Sequence, residues 1–254
     1  MRQLPLSVRL HDRARFENFW PGPNEFVVAE LRALAQQPTL AQPVRAGPPR
    51  AGLGSVGLTW LCGPVGTGKT HLLQALCAAA GQYESADPDG RAAYVPLSEL
   101  KEFGATALQE WAGARWVCLD DVASVAGDIE WERALFAMYR DCEERGARLA
   151  LAARETPVQL NWVLPDLASR CAAGVRLRLR ALDEAEQCQA LRWRAQQRGF
   201  DLPEETARYM QRRLPRDMAS LFTVLDELDT AALVAQRRLT VPFIRDVLAR
   251  ALGQ

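Results

Sequence analysis

Eight consecutive residues, Gly63-Pro64-Val65-Gly66-Thr67-Gly68-Lys69-Thr70, carry the groups needed to hold a chain of phosphates. Glycines let a backbone wrap closely around an anion with its N–H groups turned inward. A lysine meets the β- and γ-phosphates, and a threonine hydroxyl reaches Mg²⁺. A helix starting at Lys69 aims its free N–H groups and positive dipole end at the same phosphates. The nucleotide-binding set read here is Gly63 to Thr70 with the adjoining His71. A second constellation follows in Trp116-Val117-Cys118-Leu119-Asp120-Asp121, an apolar run that ends in two acids. At the carboxyl end of a strand beside the phosphate loop, Asp120 is expected to hold Mg²⁺ with Thr70, mostly through water. Asp121 then either orients or deprotonates an attacking water, or simply opens a loop.

Positioning these residues takes alternating strands and helices. Leu58–Cys62 reads as a buried strand, Lys69–Ala80 as a helix, Ala92–Leu97 as a strand and Ser98–Trp111 as a helix. Arg115–Leu119 is a strand, Glu130–Arg145 a helix stopped by Gly146, and Arg148–Ala152 a strand. Leu164–Cys171 is a short helix and Gly174–Leu179 the last strand. This alternation predicts an α/β fold whose parallel sheet is flanked by helices. Ahead of it, Asn24 caps a helix reaching Gln37, and residues 41–57, rich in Gly, Pro and Arg, form a surface loop. From Leu182 onward strands stop, and helices over 183–198, 203–214 and 217–238, with a fourth capped by Thr240, form a small all-helical domain. The expected division is an arm at 1–22, an α/β domain at 23–181 and the helical domain at 182–254.

Lys plus Arg number 31 and Asp plus Glu 31, so the chain has no bulk positive charge with which to grip DNA by itself. The six cysteines form no CxxC pair and sit in apolar segments, and two histidines are too few for a His-based metal site. No signal peptide or membrane-spanning run is visible, so the expected location is the cytoplasm, away from membranes.

With these elements placed, the sequence resembles the DnaA/Hda branch of AAA+ P-loop proteins over nearly its whole length, and within it the Hda-like regulators. The resemblance is carried by Phe16-Glu17-Asn18-Phe19-Trp20-Pro21-Gly22-Pro23-Asn24, the phosphate loop, Tyr94-Val95-Pro96-Leu97, Val117 to Asp121, Leu164-Pro165-Asp166-Leu167-Ala168-Ser169-Arg170 and Leu239-Thr240-Val241-Pro242-Phe243. It implies an AAA+ domain followed by a helical lid, binding ADP or ATP with Mg²⁺. It also implies a negative regulator of replication initiation that stimulates hydrolysis of DnaA-bound ATP. DnaA itself continues past the lid into a helix-turn-helix domain, whereas this chain ends at Gln254. The implied partners are DnaA and the DNA-loaded sliding clamp, with DNA reached mainly through the clamp; self-association is left open.

Residue by residue, the resemblance makes Gln3, Leu4, Leu6 and Val8 a clamp-binding peptide, the Gln seeking a polar notch and the apolar residues a pocket. The alternative is a tail packed on its own domain. Arg170 matches the arginine finger offered to ATP on a neighbouring DnaA; otherwise it pairs with Asp166 on its own helix. Phe19, Trp20 and Asn24 line the adenine pocket, or the aromatics, with Phe16, are core anchors.

Two positions depart from the branch. Ala152-Ala153-Arg154-Glu155 puts Arg154 where an acid or hydroxyl senses the nucleotide, and Asp217-Met218-Ala219-Ser220-Leu221 puts Ala219 where a lid arginine is usual. Arg213 and Arg216 are the nearest substitutes. The expectation is weak coupling between γ-phosphate and lid, with a nucleotide, ADP foremost, as a structural ligand that turns over slowly. The competing expectation is an autonomous AAA+ ATPase of the helicase-loader type.

Overall fold

The computed structural model describes residues 14–36, 57–83, 92–215 and 217–235. The peptide at 3–8, most of the 41–57 loop, Arg216 and the helix expected after Thr240 lie outside these residues. Among the described residues no helix is long and apolar enough to cross a membrane.

The described chain forms two compact units. The first comprises residues 14–19 and Asn24–Arg180, the second Trp20–Pro23 and residues 181–235. In the first, β1 (Leu58–Cys62), β2 (Ala92–Pro96), β3 (Trp116–Asp120), β4 (Arg148–Ala153) and β5 (Val175–Arg178) make one sheet in the order β2-β3-β4-β1-β5, every pairing parallel. β1, β3 and β4 are buried along their whole length, which is why they read as unbroken apolar runs rather than alternating ones. Alternation still decides which core each residue enters. Trp60, Cys62, Val117, Leu119, Leu149 and Leu151 point into one cluster, with α4 (Ile129–Arg145) and α5 (Pro165–Ala173). Leu61, Trp116, Cys118, Ala150 and Ala152 point into the other, with α1 (Glu25–Gln36) and α2 (Lys69–Tyr83).

The sheet order matters for the site. β4 lies between β1 and β3, with Cys62 opposite Ala153 and Leu119 opposite Leu151. The carboxyl ends of β1, β4 and β3 therefore sit side by side, the edge at which parallel α/β sheets hold ligands.

The segment 98–111 is not one helix. A short α3 (Leu97–Leu100) gives way to 3₁₀ turns over Lys101–Phe103 and Ala105–Trp111. Gly104 between them has φ 82°, outside the right-handed helical region, and breaks the run. α4 starts one residue before the sequence pattern places it because Asp128 caps it, accepting from the N–H groups of Glu130 and Trp131. Gly146, at φ 67°, ends it as expected.

The second unit packs α6 (Glu184–Gln197), α7 (Glu204–Arg213) and α8 (Met218–Ala235) around Leu191, Met210, Leu221 and Leu225. Trp20 packs against this cluster, whereas Phe16 is part of the core of the first unit and Phe19 packs against that core. For Phe16 the packing is that of a core anchor.

Asn24, expected to cap α1, is buried with both polar atoms of its side chain bonded to Arg180. Its amide donates to the Arg180 carbonyl at 3.0 Å and accepts from the Arg180 N–H at 2.8 Å, joining the start of α1 to the chain leaving β5. Removing that amide breaks two part-buried backbone hydrogen bonds, each worth about 1–3 kcal/mol at most. Asn24→Ala is expected to lower stability by about 2–4 kcal/mol in urea unfolding.

Candidate functional site

The loop between β1 and α2 is shaped by its glycines. Gly66 and Gly68 have φ of 78° and 87°, where side chains are strained. Gly63 is required for another reason: a Cβ there would lie 2.7 Å from the backbone oxygen of Leu179, whose N–H bonds to the Cys62 carbonyl. Thr67 closes the turn onto the Pro64 carbonyl. The Lys69 ammonium donates to the carbonyls of Gly63 and Pro64, each at 2.8 Å. Partial burial lowers its pKa, opposed by the carboxylates of Asp120 and Asp121. Val65 at the tip is exposed.

Beside Lys69, Thr70 donates its hydroxyl to the Asp120 carboxylate. Asp120 is only 3% exposed, and that burial raises its pKa. Donors oppose the shift: Thr70, the Tyr94 hydroxyl at 3.0 Å to Oδ2, and the Asp121 N–H at 2.9 Å to Oδ1. Tyr94 in turn is pushed far up, first by burial and then by Asp120, and also bonds Gln74 of α2. Asp121, exposed, has φ 54° and ψ 44°, the sole non-glycine at positive φ among the described residues. That turn sends its carboxylate toward Ser98, whose hydroxyl donates to it at 3.2 Å, while Ser124 closes the loop onto its carbonyl.

This arrangement fits a nucleotide with a bound divalent ion. The hydrogen bond between the Thr70 hydroxyl and the Asp120 carboxylate puts two oxygen groups next to one another, as suits an ion held by one directly and by the other through water. Among the described residues no cluster of three or more His, Cys, Asp or Glu side chains is placed to hold a metal. An ion here would therefore draw further oxygens from water or a phosphate.

Phe19 covers Gly68, whose added Cβ would lie 2.6 Å from the ring, and its centroid is 5.5 Å from that of His71. The His71 Nε2 is 3.0 Å from the Arg15 carbonyl oxygen. The amide of Asn24 is taken up by Arg180, as described, and Trp20 belongs to the second unit. Arg154 is exposed just past the end of β4, and the carbonyl of its neighbour Glu155 accepts the Trp60 indole N–H at 3.0 Å. In the second unit Ala219 is exposed on α8, and the Arg213 guanidinium lies over the Tyr209 ring.

Arg170 stands outside the loop constellation, exposed on α5. Its guanidinium carbon is 5.8 Å from the centroid of the Tyr139 ring on α4. The pairing with Asp166 allowed by their spacing is not formed; the ring takes its place. Tyr94, Gln74 and Ser98 were not marked as site residues by the sequence. For Tyr94 a signal existed, since a tyrosine inside a buried strand must find a partner for its hydroxyl.

Comparison with known proteins agrees with the resemblance carried by the motifs. Residues 183–248 match the family model described as Hda, lid domain. The fold is that of domain III of the replication initiation protein DnaA from Thermotoga maritima, with TM-score 0.69 and 21% identity over 91% of this chain and 93% of that one. AMPPCP-bound DnaA from Aquifex aeolicus superposes with TM-score 0.66 and 20% identity, over 87% of this chain and 66% of that one. The Thermotoga maritima RuvB Holliday junction branch migration motor is more distant, at TM-score 0.54 and 14% identity over 87% and 67%. Residues 183–248 thus match the Hda lid, and the chain shares its fold with domain III of DnaA.

The Tyr94 hydrogen bond favours the ionised form of Asp120, so its contribution grows as pH rises through the titration of that carboxyl and fades below it. Tyr94→Phe is expected to cost about 1–3 kcal/mol at neutral pH and less in acid, read from urea midpoints across pH.

Proposed function

We propose that this chain is a nucleotide-binding regulator of replication initiation. Docked on the DNA-loaded sliding clamp through Gln3, Leu4, Leu6 and Val8, it speeds hydrolysis of ATP held by DnaA by presenting Arg170 to the γ-phosphate. The observation that carries this reading is the state of Arg170. Its guanidinium is exposed, rests on an aromatic face rather than on a carboxylate, and so keeps its charge and its planar donor fork for a group from outside. A guanidinium reaching the transferring phosphoryl group accelerates such reactions on the order of 10³–10⁵-fold. The match to the Hda lid and the DnaA-like fold support DnaA as the partner.

Within this chain, Gly63 to Thr70 and His71 would hold ADP or ATP, with Lys69 on the phosphates and Thr70 and Asp120 on Mg²⁺. When bound, the ion neutralises phosphate charge. Asp121 is the acid available to orient water. Arg154, at the end of the strand between loop and Asp120, replaces an acid or hydroxyl with a cation, which favours a slow intrinsic turnover and a structural role for the nucleotide. The intact pairing of Thr70 with Asp120 favours a second reading, an autonomous AAA+ ATPase of the helicase-loader type.

One experiment separates them. DnaA loaded with labelled ATP is mixed with clamps on DNA and with this protein, its Arg170→Ala form, or a form lacking residues 1–8. The regulator reading expects only the intact protein to speed ADP formation, with Arg170→Ala reducing stimulation by about 10³-fold. Fast ATP turnover by the protein alone, with no effect on DnaA, would establish the second reading. Lys69→Ala is expected to weaken nucleotide binding to the isolated protein by at least tenfold in a titration, about 1.4 kcal/mol. Unchanged binding would remove the loop from the site.

A further inference from the structure

Glu132, on α4, has 0% exposure and is buried more deeply than Asp120 or Arg148. No lysine or arginine pairs with it among the described residues. Its partners are backbone N–H groups. Oε1 accepts from Gly127 at 2.8 Å and Val163 at 3.1 Å, and Oε2 from Val163 at 2.9 Å and Leu164 at 2.6 Å. A carboxyl group this far from water is costly unless donors surround it, and three N–H groups converge here.

The place where they converge gives the arrangement its meaning. Val163 and Leu164 are the last residues before α5, and Leu164 occupies the N-cap position without a side chain able to accept a hydrogen bond. Glu132 supplies an acceptor there from a different helix. Its negative charge also lies where a helix N-terminus favours one. On the same side of α4, seven residues on, Tyr139 lies beneath the Arg170 guanidinium. α4 thus grips α5 twice, through hydrogen bonds where the chain enters the helix and through an aromatic face beneath the arginine. Leu167 and Cys171 of α5 fill the core between these points.

We infer that Glu132 is a positioning residue for Arg170: by tying the N–H groups of Val163 and Leu164 to α4 it fixes where α5 starts, and so where the guanidinium is presented. This rests on the reading of Arg170 as the group offered to the DnaA-bound nucleotide. Glutamine is the informative substitution. It has nearly the same shape, but its one amide oxygen can serve one side only, and its NH₂ faces N–H donors on the other.

The test uses the full chain, with Glu132→Gln and Arg170→Ala beside the parent. Hydrogen exchange is followed at the amides of Val163 and Leu164, with those of α2 as control. Stimulated hydrolysis of DnaA-bound ATP and the chain's own nucleotide affinity are measured on the same samples. Glu132→Gln is expected to speed exchange at Val163 and Leu164 and to lower stimulation by about tenfold or more, since small misplacements of a catalytic group are that costly. Exchange in α2 and nucleotide affinity should stay at parental values, which a general loss of structure would not allow. Parental stimulation, or parental exchange at Val163 and Leu164, would overturn the inference. If Arg170→Ala keeps full stimulation, the arginine reading itself falls and the role given to Glu132 falls with it, whatever the exchange shows. Should the glutamine form fail to fold, Glu132→Asp, which keeps the charge but is one methylene shorter, is expected to lose stimulation in step with protection at Leu164. Full stimulation despite lost protection would overturn the inference equally.

Discussion

A carboxyl group kept almost out of water has to be surrounded by donors, and Asp120 imposes that condition on its whole neighbourhood. β3 must end beside the helix that carries Thr70. β2 must lie next to β3 so that Tyr94 can reach the same group, and its hydroxyl is shared with Gln74 of α2. The chain must then turn sharply enough for the next N–H to fold back on the carboxylate, which puts Asp121 into a left-handed conformation that residues other than glycine seldom adopt. The strain at Asp121 and the burial of Asp120 are two sides of one demand, a charge fixed at the edge of the sheet where a phosphate-bound ion would sit.

Much of this was legible in the sequence. β1 reads directly from five apolar or β-branched residues ahead of a glycine, and β4 from its apolar run after Gly146, because strands buried on both faces need nothing else. Asp120 and Thr70 are placed by their neighbours in sequence. What escaped depends on contacts made far along the chain. Asn24, just ahead of a helix, reads as a cap, yet its amide is spent on a backbone 156 residues away. The segment after Ser98 has helical composition throughout, and only the backbone angle at Gly104 divides it.

Glu132 is the most instructive case. In a helix with many charges, a glutamate reads as part of the solvated face. A signal was nonetheless present: Glu132 falls on the row that also holds Leu135, Tyr139 and Cys142, all buried. A charged residue in an apolar stripe either breaks the helix pattern or has partners waiting for it. Here the partners are main-chain groups of the next loop, which no local pattern announces. Arg170 and Arg154 differ in the same way. Arg170 has an aromatic support that sequence spacing did not suggest, whereas the position of Arg154 follows from strand order alone.

The cysteines have a practical meaning that their chemistry hides. All six are buried, five in the sheet unit and Cys188 alone among the lid helices, and burial raises the pKa of several, Cys142 to about 11 and Cys171 to about 12. Such thiols are poor nucleophiles while their surroundings stay closed. An alkylating reagent therefore reports opening events rather than surface chemistry, and after proteolysis the label at Cys188 is read on a different peptide from those at the other five positions. The molecule carries a native set of clocks, through which the opening of the helical unit and of the sheet unit can each be timed without introducing a single probe.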